Sequence, residues 1–128
     1  MLNITSSSRY KINRKLIKKT FAEMLTSYGI PDSAVINIVF VGRNKMKAIA
    51  AKYAHEKEAL PVLSFSYHDL NLTPGVEERS GKTPGVEKLM GEIFICYPQA
   101  IILAAEKDKK VDDIIIFLIK HGIENIMQ

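Results

Sequence analysis

Three histidines, one cysteine, a run of basic side chains and a Gly-Lys-Thr turn are the residues of this chain whose types invite chemistry. His121 falls late in an apolar stretch and is followed by Gly122. An imidazole there serves either as a satisfied helix-end histidine or as a metal ligand. Cys96 closes the apolar run Gly91 to Cys96 and reads as a small core residue, not a nucleophile. Ser80-Gly81-Lys82-Thr83 resembles the end of a phosphate-binding loop, but that loop needs glycine where Val76 stands. Pro84 also follows where a helix must open, so a nucleotide P-loop is rejected. There is no Cys-x-x-Cys, His-Glu-x-x-His or Gly-x-Ser-x-Gly pattern to support a zinc finger, a zincin or a nucleophile elbow. Arg9, Lys11, Arg14, Lys15, Lys18 and Lys19 share one stretch without an acidic residue. Such a cluster favours a phosphate-bearing partner; a solvated helix face is the plainer alternative.

The elements that must carry these residues follow from hydrophobic period. Leu2 to Thr5 reads as a short strand and Ser6 to Ser8 as a turn. From Asn13 to Tyr28, the positions Leu16, Ile17, Phe21, Met24, Leu25 and Tyr28 form one helical stripe. Asn13 is its N-cap, Gly29 and Pro31 stop it, and its basic residues fall mostly on the opposite arc. Ala34 to Val41 is β-branched and aromatic and reads as a strand buried on both faces. Asn44 to Tyr53 reads as a helix with Met46, Ile49, Ala50 and Tyr53 on one side. Val62 to Tyr67 and Gly91 to Cys96 read as two further strands. Between them, His68 to Met90 is polar and repeats Thr-Pro-Gly-Val-Glu at Thr73 to Glu77 and Thr83 to Glu87, a pattern of turns or a flap. Pro98 to Glu106 and Val111 to Met127 read as helices. Asp112 and Asp113 suit the first turn of the last helix, where negative charge meets the positive end of the dipole. Its run Ile114 to Ile119 is apolar all round, which predicts a central, buried helix. The predicted fold is a single small α/β (α+β) domain, a mixed four-stranded sheet packed with helices.

Bulk properties agree. A chain of 128 residues with 47% hydrophobic and 25% charged residues has room for one core and the composition of a globular domain. The apolar runs are far shorter than the roughly 18 residues of a membrane span, and no apolar leader precedes the first basic residues. A single cysteine fits a reducing compartment, so a cytoplasmic, non-membrane protein is expected. The net charge of +4 and a pI near 9.2 gain meaning only from where the charge is placed.

Four segments in order resemble the YbeY family of rRNA-maturation endoribonucleases. They are Val35 to Val41 followed by Met46, Ile49 and Tyr53; Val62-Leu63-Ser64-Phe65; Gly91-Glu92-Ile93-Phe94-Ile95-Cys96 with Gln99 and Ala100; and His121-Gly122 near the end of an apolar helix. The resemblance spans nearly the whole chain, residues 1–128 as one domain. It implies a metal-dependent endoribonuclease that cleaves single-stranded RNA, the 16S rRNA precursor, in ribosome biogenesis and associates with the small ribosomal subunit. It also implies zinc, held by three histidines of a motif H-G-x-x-H-L-x-G-x-D-H, with an open position for an activated water. His121 matches the first ligand, Asn125 stands at the second, and the sequence ends at Gln128, before the third. The family's arginine falls at Ala54 and its threonine before Val-Leu-Ser-Phe at Leu60. Asn44, Glu124, His55 and His68 are the available replacement ligands, with no catalytic residue assigned; Arg14, Lys15 and Lys18 are the expected RNA contacts. Two further readings stand beside cleavage: an inactive YbeY-like module that binds rRNA or the ribosome, and a truncated product marked by an exposed core around Phe117.

Overall fold

The computed structural model describes residues 1–31, 33–67 and 88–128. Its elements are β1 (Leu2–Thr5), α1 (Arg14–Tyr28), β2 (Ala34–Val41), α2 (Arg43–Tyr53), β3 (Val62–Ser66), β4 (Lys88–Cys96), α3 (Tyr97–Glu106) and α4 (Val111–Met127). The strands form one mixed sheet in the order β1-β2-β4-β3, with β1, β2 and β4 parallel and β3 antiparallel at the edge. This is the small α/β domain the hydrophobic pattern predicts. The repeated Thr-Pro-Gly-Val-Glu, the Ser80 to Thr83 turn and His68 lie outside the described residues.

Side-chain alternation along the strands sorts the core into two layers. Ile36, Ile38 and Phe40 of β2 and Ile93 and Ile95 of β4 meet Ile17, Phe21 and Met24 of α1, Ala100 and Ala104 of α3, and the isoleucine-rich face of α4. Val41 and Cys96 face the other way, where Met46 of α2 and Ala59 cover them with Leu63 and Phe94. That second layer is thinner. Along β2 the residues alternate between buried and half-buried until Val41, so the strand is not buried equally on both faces. On the less covered side Asn3 Nδ2 donates to Asn37 Oδ1 at 3.0 Å, and the Tyr67 hydroxyl donates to Glu92 Oε1 at 2.7 Å.

Two glycines set how closely α4 approaches the sheet. A Cβ at Gly122 would lie 2.9 Å from Ile93 Cδ1, and one at Gly91 would lie 2.6 Å from both Ile126 Cδ1 and the Phe65 carbonyl oxygen. Only residues without a side chain permit this seam. Strand β4 begins at Lys88, three residues before the expected Gly91, and the β2–β4 register slips between Val35 and Ile36. The extra residue of that bulge hides the strand's start from a period-two reading.

Three apolar residues of the predicted helical stripes are exposed. Tyr28 and Tyr53 lie at helix ends, and Phe117 in the middle of α4 is 59% exposed. The run Ile114 to Ile119 is therefore not buried all round: Ile114, Ile115, Leu118 and Ile119 are buried while Phe117 points out.

Candidate functional site

α4 carries the one imidazole that the sequence singles out. Its buried arc, Ile114, Ile115, Leu118, Ile119, Gly122, Ile123 and Ile126, fixes its rotation against the sheet. Each isoleucine or leucine there contributes about 1.5–3 kcal/mol by removing its surface from water. The opposite arc is thereby committed to solvent: Asp113, Phe117, Lys120, His121, Glu124 and Asn125 are all exposed. His121 and Asn125 are one turn apart and share that face, the i and i+4 spacing a two-ligand helix uses.

What surrounds them departs from a metal centre. Asn125 Nδ2 donates to Ser64 Oγ of β3 at 3.5 Å, and the neighbouring Ser66 Oγ donates to the Ile126 carbonyl at 3.3 Å. Both bonds tie the end of α4 to the edge strand. Among the described residues no three of His, Cys, Asp and Glu come together as a metal-binding group. Glu124, three residues past His121, is an exposed carboxylate on the same arc. His55 lies exposed in the turn after α2, at φ 56°, and Asn44 lies in the first turn of that helix. Helix α2 covers the other face of the sheet. Among the described residues the donors do not fit a zinc ion held by three protein ligands.

Cys96 is fully buried. Burial pushes its thiol above the ordinary range, with a backbone hydrogen bond from Gln99 and the charge of Arg43 acting in the opposite sense. It is a protonated core thiol, as its apolar strand predicts.

The second feature is electrostatic. Arg9, Lys11, Arg14, Lys15, Lys18 and Lys19 are all exposed, and none pairs with an acid among the described residues. Asn13 Oδ1 accepts from the Leu16 N–H at 3.0 Å and caps α1, while Arg14 Nη1 donates to the Ile4 carbonyl at 3.3 Å. The fold adds to this cluster residues that the sequence keeps far away. The Tyr10 ring stacks on Tyr97 with centroids 4.6 Å apart, the Tyr97 hydroxyl donates to the Lys11 carbonyl at 3.0 Å, and the Tyr10 hydroxyl lies against Gly42. The starts of α1, α2 and α3 thus converge, with no acidic residue in any of their first turns. Arg43 and Lys45, exposed in the first turn of α2, follow directly on Gly42, the residue that the Tyr10 hydroxyl approaches. Three helix starts and these cations make a region of positive potential suited to phosphates. No helix of the described residues is long and apolar enough to cross a membrane.

Comparison with known proteins meets this geometry from the other side. The family model described as endoribonuclease YbeY matches residues 3–127. An endoribonuclease YbeY of Dehalococcoides mccartyi strain CBDB1 is 28% identical over 98% of this chain and 78% of its own length. One from Desulforamulus reducens is 30% identical over 84% of this chain and 66% of its own. A Thermotoga maritima protein of known solution structure superposes with a TM-score of 0.57 over 100% of this chain and 73% of its own, at 16% identity, which speaks to the fold alone. With the family model matched from one end of the sheet to the last helix, the chain belongs to the YbeY family.

Proposed function

We propose that this protein is an endoribonuclease that cleaves single-stranded RNA in the maturation of ribosomal RNA. The match of the endoribonuclease YbeY model over residues 3–127 carries this reading. In it, residues 1–128 act as one domain in the cytoplasm, on the 16S precursor and beside the small ribosomal subunit. Arg14, Lys15 and Lys18 hold the RNA backbone, and Arg43 and Lys45 extend the same surface. Phosphate contacts of this kind supply affinity through counterion release, so binding weakens steeply with salt. Zinc, as the family implies it, would find the imidazole of His121 and an amide at Asn125.

The test is cleavage of a single-stranded rRNA fragment by the unaltered chain and by His121→Ala, each with and without added zinc, alongside elemental analysis of the purified protein. Cleavage lost in the variant is the expected result, with zinc well below one equivalent per chain. A full equivalent that His121→Ala removes would show that the ligand count is wrong. RNA binding without cleavage in every condition overturns the enzyme reading in favour of a YbeY-like module that holds rRNA or the ribosome. The amide at position 125, bonded to Ser64, is the observation that favours that second reading.

A further inference from the structure

Phe117 is the most exposed large apolar side chain among the described residues, at 59%. Tyr53, nearly as open, packs edge-on against Phe65 and lies under the Lys52 ammonium. Phe117 stacks on no ring among the described residues. It is not a leak in the core, since Ile114, Ile115, Leu118 and Ile119 on either side are buried. It forms one wall of a cavity of about 410 Å³ whose other walls are Lys107, Lys109, Asp113 and Ile114. One aromatic residue, two lysines of the α3–α4 turn and one aspartate therefore line a single opening.

From this we infer that the cavity is a subsite for one nucleotide of a single-stranded RNA, its base stacked on Phe117 and its phosphate held by Lys107 and Lys109. This rests on the RNA reading above and names where the strand goes beyond His121. Charge complementarity selects the occupant: with two lysines and one aspartate among its lining residues, the opening carries a net positive charge that draws a phosphate. Base stacking on an exposed aromatic is sequence-tolerant, because every base has a π face. Continuity with His121 adds a second argument. The two side chains share one helix face four residues apart, about 6 Å along the axis. A strand passing His121 meets Phe117 next.

The experiment measures binding of a short 2′-O-methyl RNA strand, which resists cleavage, and of its abasic counterpart. The proteins are the unaltered chain, Phe117→Ala and Phe117→Trp. Phe117 lies outside the core, and thermal unfolding checks that both variants keep the fold. Phe117→Ala is expected to weaken binding of the base-bearing strand about five- to thirtyfold and to leave the abasic strand unchanged, while Phe117→Trp retains affinity. A Lys107→Ala, Lys109→Ala double variant should weaken both strands and flatten the salt dependence. Equal affinity of Phe117→Ala for the base-bearing strand overturns the subsite and leaves the RNA reading standing. Absence of any RNA binding by the unaltered chain overturns both. Concentration-dependent self-association abolished by Phe117→Ala would assign the face to a second copy of the chain and overturn the inference as well.

Discussion

Helices α4 and α1 follow opposite charge rules at their starts. α4 opens with Asp112 and Asp113, which complement the positive end of its dipole. α1 opens with Arg14 and Lys15 and no acid, and α2 with Arg43 and Lys45 and no acid. Each misplaced cation costs roughly 0.3–1 kcal/mol at an exposed helix end. α1 offsets that cost with the Asn13 cap and with Ile17, Phe21 and Met24 in the core. The difference teaches where the helix dipole by itself accounts for the charges at a helix start and where another demand intervened. Charges that oppose their own helix are most simply explained by a ligand of the opposite sign.

The contrast can be broken first at α4, whose position rests on contact and not on charge. Gly91→Ala drives a methyl group into the Phe65 carbonyl, which cannot rotate away, and should cost about 3 kcal/mol or more in chemical denaturation. Gly122→Ala meets only the Ile93 side chain, which can adjust, and should cost about 1–3 kcal/mol. Two equal and small losses would mean that the close seam does not hold α4 in place. At α1, Asn13→Ala should cost about 1 kcal/mol, because the Leu16 N–H loses its acceptor. The smallest effect is the sharpest in sign. Lys15→Glu should raise the stability of the free protein by about 0.3–0.5 kcal/mol while weakening its binding to single-stranded RNA. A variant that gains stability without losing RNA affinity would detach the basic corner from the ligand.

Much of this architecture is legible in residue types. The stripe from Ile17 to Met24, the β-branched Ala34 to Val41 and the Asp112-Asp113 start each satisfy one physical rule that neighbours do not contradict. Phe117 is illegible for the converse reason. In Ile114 to Ile119 every residue is apolar, so nothing in the run marks the outward side, and packing against the sheet and the neighbouring helices decides it. The basic corner is half legible: Arg9 to Lys19 stands together in the chain, whereas Arg43 and Lys45 follow on Gly42, which the Tyr10 hydroxyl approaches. Asn125 could be placed beside His121 by helical spacing, but its bond to Ser64 depends on the antiparallel edge strand.

The parallel pairing of β2 with β4 also has a consequence in time. Ile36 lies opposite Gly91, Ile38 opposite Ile93 and Phe40 opposite Ile95, partners separated by more than fifty residues of chain. Those are the buried rows on which α1 and α4 close. A chain whose core rows are this remote must lose the entropy of a long loop before hydrophobic burial offsets it. Local pieces such as α3 with α4 can form early, but the layer between the sheet and α4 waits for the β2–β4 encounter. Folding should accordingly be slow for a domain of this length, with the α4 isoleucines reaching their native surroundings only after the transition state's long-range pairing is in place.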